Sequence, residues 1–206
     1  MPEQLKAEEV NSKTDPSVAK QFDTETDKKT QVQDFYNIVD KLKIGLLTTL
    51  RKDVGPVSRS MATSRRDGPD FLYLSNCHSK KFSDLENSKQ VQITFQDSSS
   101  QNWVSITGNA TKVSNTSGLV KELYQPAVSA WFGDLGDGVH KGNAEDPRMA
   151  VIKIEPTYIV YWMKTVTSLG YMKEVAQAAI TGQVSQTGVQ REFSKADIEA
   201  MRTYTQ

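Results

Sequence analysis

A single cysteine, Cys77, stands in 206 residues, so the chain can form no internal disulfide and its fold rests on burial and hydrogen bonding alone. No His/Asn partner pattern accompanies that cysteine, which reads as a passive small residue and not as a nucleophile. Histidine is nearly missing too: only His78 and His140 occur, and no cluster of His, Cys and carboxylates has metal-ligand spacing. There is no Gly-x-Ser-x-Gly elbow and no triad order. No apolar run approaches the roughly 18 residues of a membrane span. Neither sign of charge dominates, with 25 basic and 25 acidic residues, so the global basic excess of a nucleic-acid binder is absent. The first 29 residues lack the apolar core of a signal peptide, and their acidic residues argue against a mitochondrial presequence. Together these absences lead to the expectation of a cytoplasmic protein with no metal, no membrane and no nucleic-acid partner.

What is present is enough for one domain with a core: 37% of the residues are hydrophobic. The most informative stretch covers residues 71–85, Phe-Leu-Tyr-Leu-Ser-Asn-Cys-His-Ser-Lys-Lys-Phe-Ser-Asp-Leu. It opens as a strand, because Phe71, Leu72, Tyr73 and Leu74 form a short aromatic-rich run after the Gly68-Pro69 breaker. It closes as a helix, because Phe82 and Leu85 recur at helical spacing and Ser79 stands at the N-cap position. Lys80 and Lys81 then fall in the first helical turn, where the helix already carries partial positive charge. Two readings follow. Either the lysines are incidental on a solvated helix start, or the turn cradles an anion, with Ser75, Ser79, backbone amides and both ammonium groups as donors.

Around this stretch the pattern is one of closely spaced strands. Residues 1–27 form a polar lead, disordered or loosely docked. Val32, Phe35, Tyr36, Val39 and Leu42 mark an amphipathic helix. Strands are expected at 44–50, 57–63, 71–74, 91–95 and 103–113, then at 149–154 and 158–163 on either side of Glu155-Pro156. Turns fall at 53–56, 65–69 and 98–101, and Gly108 reads as a bulge inside the long strand. Leu119, Val120, Leu123 and Tyr124 suggest a helix ending before Pro126, and 133–147 is a glycine- and charge-rich loop. A last helix starts at Ser194, with Asp197 completing a capping-box analogue. The fold class expected is mainly β with peripheral α, an antiparallel barrel of about seven strands. The boundaries expected are a lead at 1–27, a barrel domain at 28–165 and a helical appendage at 166–206.

At Leu74-Ser75-Asn76-Cys77-His78-Ser79-Lys80-Lys81 the sequence resembles the pyridoxamine 5′-phosphate oxidase-like flavoproteins, in the strand-turn-helix that binds the phosphate of FMN. Ser58-Arg59-Ser60-Met61-Ala62, fifteen residues upstream, resembles the same family's Arg-x-Met strand. In that strand the arginine reaches the phosphate and the backbone runs beside the isoalloxazine ring. The likeness covers about residues 35–164 and is greatest to the general stress protein 26 branch, of which Trp103-Val104-Ser105-Ile106-Thr107-Gly108 and Tyr161-Trp162 are also typical. Ala179-Ile180-Thr181-Gly182 and Arg191 look like the fungal blue-light-inducible members of that branch.

The resemblance implies an antiparallel FMN-binding split barrel that works as a homodimer. Its cofactor-binding residues would be Arg59, Ser60, Met61, Ala62, Leu74, Ser75, Asn76, Ser79, Lys80, Lys81 and Trp103. Trp103, Trp131 and Trp162 each read as core or interface residues, with Trp103 placed best to line the ring. The true oxidases end on an Arg-x-His-Asp-Arg grip for substrate phosphate, which is missing here, and where they carry a lysine after the Arg-Met strand this chain has Ser64. Pyridoxamine phosphate oxidation is therefore not expected. Two function classes remain: a flavin-dependent oxidoreductase of unknown substrate, reduced by a nicotinamide nucleotide, or a flavin-binding protein without catalysis, a store or a stress or light-response protein. No catalytic side chain is identified.

Overall fold

The computed structural model describes residues 15–115 and 118–204. In chain order the elements are α1 (Pro16–Gln21), α2 (Lys28–Leu42), β1 (Ile44–Arg51), β2 (Gly55–Ala62), β3 (Arg65–Asp67), β4 (Asp70–Asn76), α3 (Lys80–Asn87), β5 (Gln90–Gln96), β6 (Trp103–Val113), α4 (Leu119–Leu123), β7 (Met149–Lys164), α5 (Ser168–Thr181), β8 (Gly188–Phe193) and α6 (Lys195–Tyr204). The chain divides into two compact units. The larger takes the described parts of Leu42–Phe95, Ser105–Ile159 and Phe193–Gln206, and the smaller those of Met1–Lys41, Gln96–Val104 and Val160–Glu192.

In the larger unit the strand order is β2-β1-β5-β6-β7-β4-β3. The β1–β2, β1–β5, β3–β4 and β4–β7 ladders are all antiparallel, as the short connections expected from the sequence require. β1 alternates: Gly45, Leu47 and Thr49 are buried, while Ile44 and Leu46 face out. β4 is buried along nearly its whole length, which is why it reads as a continuous apolar run. Leu47, Phe71, Tyr73, Ile93, Phe95, Ile106, Ile152 and Ile154 are all buried, with the Phe71 and Phe95 rings 5.8 Å apart. A hydrophobic cluster sets Leu72, Met149 and Val151 against Val120 and Leu123 of α4. α6 closes this unit with Ile198 and Met201 buried. Its start is a reciprocal cap: Ser194 N donates to Asp197 Oδ2 at 2.9 Å, and Asp197 N donates to Ser194 Oγ at 3.3 Å.

In the smaller unit β8 pairs with the end of β7. Asp15 caps α1 through its carboxylate, which accepts from Ser17 N and Val18 N at 3.0 Å each. α2 buries Gln31, Phe35, Ile38 and Val39, so its inward stripe is shifted slightly from the one expected around Val32 and Tyr36. Arg191 on β8 is the centre of the unit. Its Nε donates to Asp23 at 2.7 Å, and its Nη1 donates to Asp34 at 2.6 Å and to the Tyr161 hydroxyl at 3.1 Å. That hydroxyl in turn donates to the Gln31 carbonyl at 2.7 Å. Of the polar lead, residues 1–14 lie outside the described residues; the remainder carries α1 and the Asp23 contact.

Three features differ from expectation. β7 is one strand of 16 residues where two were expected around Pro156. The β4 ladder ends at Ile154, so the proline stands where no donor is needed on that side. Residues 65–67, expected as pure turn, form the short strand β3 against β4. β8 was not foreseen inside the region expected to be helical, since an arginine occupies one of its buried positions and breaks the apolar alternation. Gly108 serves a close approach: a Cβ there would fall 2.5 Å from the Glu155 carbonyl oxygen. Among the described residues, no helix is long and apolar enough to cross a membrane.

Candidate functional site

The site of interest lies in the larger unit, where β4 turns into α3. The turn is shaped by Asn76. Its side-chain Oδ1 accepts from His78 N at 2.9 Å, and its carbonyl accepts from Ser79 N at 3.1 Å and from Ser79 Oγ at 2.7 Å. Ser79 occupies the N-cap position with extended backbone, yet its hydroxyl does not cap the helix, because its proton is already given to the Asn76 carbonyl. Cys77 N donates to the Arg148 carbonyl at 2.8 Å, tying the turn to the start of β7. Arg148 is itself held by buried Asp146 and by the carbonyls of Phe132 and Gly133, which fixes the glycine-rich loop at its base.

Lys81 is half-buried, and its ammonium group donates to Ser75 Oγ at 2.7 Å and to Ser79 Oγ at 2.8 Å. An ammonium has three donors, so one remains. Among the described residues Lys81 has no carboxylate partner. Burial lowers its pKa from the usual lysine value, and the nearby Arg59 charge lowers it further. The first-turn amides of Lys80 and Lys81 have no acceptor within α3.

Arg59 reaches the same region from β2. Its Nη1 donates to Thr49 Oγ1 at 2.6 Å and to the Leu47 carbonyl at 3.2 Å, and its Nη2 donates to Asp84 Oδ2 at 3.0 Å. Asp84 stands on α3, one turn after Lys81, and its side chain is 3% exposed. It also accepts from Thr49 Oγ1 at 2.6 Å and from Arg51 Nε at 3.0 Å. The Arg51 hydrogen bond is the main reason its pKa lies below the usual carboxylate range, with burial acting against it. Two guanidiniums thus share one carboxylate while Lys81 has none, which leaves two positive charges in surplus. A set of N–H and O–H donors with that surplus is complementary to a doubly charged anion such as a phosphate monoester.

Of the residues singled out in the sequence, Ser75, Ser79, Lys81 and Arg59 are brought together. Asn76 builds the turn. Lys80 is exposed. Ser60 and Ala62 are exposed on β2, opposite Leu46 and Ile44, and Met61 between them is half-buried opposite Gly45. Leu74 packs against the α4 cluster. Trp103 is half-buried at the start of β6 and belongs to the smaller unit. Sequence reasoning missed Asp84, Thr49 and Arg51. Their signal was parity and period: Thr49 and Arg51 share the inward side of β1 with Leu47, and Asp84 lies between Phe82 and Leu85 on the buried side of α3.

Comparisons with known proteins identify the family. A family model described as "Pyridoxamine 5'-phosphate oxidase like" matches residues 30–186. The chain is 34% identical over 200 residues to Protein bli-3 of Neurospora crassa, covering 96% of this chain and 95% of that protein. Among solved structures, General Stress Protein 26 from Bacillus anthracis has a TM-score of 0.53 at 23% identity, covering 64% of this chain and 92% of that one. A general stress protein 26 homologue from Jannaschia reaches 0.60 at 16% identity, covering 81% and 99%. A pyridoxamine 5′-phosphate oxidase-related, FMN-binding protein from Nostoc punctiforme gives 0.52 at 10% identity, covering 84% and 100%. These structural likenesses show a shared fold, the antiparallel split barrel expected from the sequence.

Proposed function

The chain belongs to the pyridoxamine 5′-phosphate oxidase-like family, and from that premise we propose that it is a cytoplasmic flavoprotein that holds FMN by its phosphate at the β4–α3 turn. The observation that carries the reading is the half-buried Lys81 ammonium, set between two hydroxyls with no carboxylate to neutralise it. Lys81, Ser75 and Arg59 bind the phosphate; Ser79, its own proton given to Asn76, holds the Lys81 ammonium in place, and Asn76 holds the turn. The β2 backbone at Ser60, Met61 and Ala62 and the strand carrying Leu74 flank the ring. A bound flavin supplies hydride or one-electron transfer, and the protein's part is binding and orientation. We read the protein as an oxidoreductase reduced by a nicotinamide nucleotide, its substrate unassigned, and not as a pyridoxamine phosphate oxidase.

The test is the absorbance spectrum of the purified chain after incubation with FMN. Retained flavin bands that NADH or NADPH bleaches are the expected result. Retained bands that neither nucleotide bleaches would favour the non-catalytic reading, a flavin store or stress- or light-response protein. No retained flavin would remove both.

The protein works as a homodimer in this reading. Trp131, 87% exposed, is the aromatic anchor available to a partner, while Trp162 is half-buried and donates to Gln21. Light scattering at micromolar protein with FMN present should give twice the mass of the chain.

A further inference from the structure

Asp84 has no evident place in an anion site, since a carboxylate beside a phosphate is repulsive. Its geometry resolves this. Its two oxygens accept four hydrogen bonds, from Thr49 Oγ1, Arg59 Nη2, Arg51 Nη2 and Arg51 Nε. Three of them fall on Oδ2 and one on Oδ1, and three of the four come from guanidiniums. With its side chain 3% exposed, the charge is turned inward.

The donors of Arg59 complete the picture. A guanidinium has five N–H groups. Three are engaged: both on Nη1, by Leu47 and Thr49, and one on Nη2, by Asp84. The remaining two, on Nε and Nη2, lie on one edge of the guanidinium and form the parallel pair that grips a phosphate in bidentate fashion. Among the described residues, neither finds a hydrogen-bond acceptor. Thr49 links the two sides, accepting from Arg59 and donating to Asp84.

We propose that Asp84 is the positioning residue of the phosphate site. With Thr49 it holds the end of the Arg59 guanidinium, so that the Nε–Nη2 edge is presented to the ligand, and it allows Arg51 and Arg59 to lie side by side. The proposal rests on the flavin reading above. It assigns Asp84 no contact with the ligand.

Charge counting and positioning predict opposite signs, which makes the test sharp. The full chain, Asp84→Asn and Asp84→Glu are titrated with FMN and with riboflavin, which lacks the phosphate, by quenching of flavin fluorescence. If Asp84 were only a nearby negative charge, Asp84→Asn would bind FMN more tightly. Positioning requires the reverse: FMN weakens roughly tenfold or more, as for the loss of a hydrogen bond to a charged group. Riboflavin moves by less than about threefold, and Asp84→Glu recovers part of the FMN affinity. Tighter or unchanged FMN binding, or equal losses for the two flavins, would overturn the proposal and leave the flavin site standing. A wild-type chain that binds neither flavin would overturn the flavin reading and this proposal with it. Should Asp84→Asn fail to fold, Thr49→Val decides by the same criteria, because it removes the hydroxyl that joins Arg59 to Asp84.

Discussion

Lys81→Ala is expected to weaken FMN binding by roughly ten- to a hundredfold while leaving the fold intact. A hydrogen bond to a charged group contributes about 1.5–3 kcal/mol, and each 1.4 kcal/mol is about tenfold in affinity. Nothing in the free chain depends on this ammonium for charge balance, since its partners are the Ser75 and Ser79 hydroxyls. Alanine removes a half-buried cation, so the melting temperature should hold or rise slightly. Riboflavin should lose much less than FMN, and that contrast separates a phosphate contact from general damage to the pocket. Arg59→Ala should also weaken FMN selectively. It should cost stability as well, because Arg59 hydrogen-bonds Leu47, Thr49 and Asp84 in the free chain. Fluorescence titration with both flavins, beside a thermal melt, checks all of this. Equal losses for the two flavins would reduce the stretch to a strand, a turn and a helix.

Arg191→Ala should have the largest effect on stability. The arginine side chain is 6% exposed and pairs with Asp23, 11% exposed, and Asp34, 24% exposed. Removing one partner of a buried ion pair leaves the others uncompensated and costs about 3–5 kcal/mol. Against a total of about 5–15 kcal/mol for a typical domain, that is a large share. In a chain of this size the melting temperature should fall by roughly 6–20 °C. Arg191→Lys should recover little, because one ammonium cannot reproduce the fork that reaches Asp23, Asp34, Thr26 and Tyr161 together.

The same network sets an acid limit. Burial alone would raise the Asp23 pKa, but hydrogen bonds from Thr26 and Arg191 outweigh it and hold the group at about 2, below its ordinary 3.8. A depressed carboxylate contributes stability above its unfolded value and loses it as pH falls through the folded one. The melting temperature should therefore decline as pH drops from about 4 towards 2. In Arg191→Ala that decline should be shallower.

The sequence was legible where burial follows period. β1, β2, β4, β5 and β6 announce themselves by apolar alternation or by an unbroken apolar run, and α3 by Phe82 and Leu85. The turn from Ser75 to Lys81 was legible because small polar residues and clustered cations have few other reasons to meet a helix start. Charged residues doing a core residue's work were not legible. Arg191 hides β8, and Asp84 hides the Arg51–Arg59 pair, because both stand at buried positions where the periodic pattern calls for an aliphatic side chain. Their counter-charges come from segments 25 to 168 residues away in the chain, a distance no local pattern spans. Pro156 misled for the opposite reason: a strong breaker is harmless once its neighbouring ladder has ended.

The way β8 meets the start of the chain has a consequence for solubility. On the side away from β7, Asp23 N donates to the Gln190 carbonyl at 3.0 Å, within a parallel bridge between Phe22 and Gln190. Two residues on, the Glu192 carbonyl accepts from the Lys28 ammonium at 3.2 Å. Successive acceptors on one rim of a strand are what an incoming strand from another molecule would seize. Here a turn of backbone and a lysine occupy them first. The segment from Phe22 to Lys28 therefore acts as a guard rail, keeping the sheet from growing into a neighbour. A chain cut short before β1 would offer that rim to the next copy and aggregate edge to edge, even where every core residue is in place.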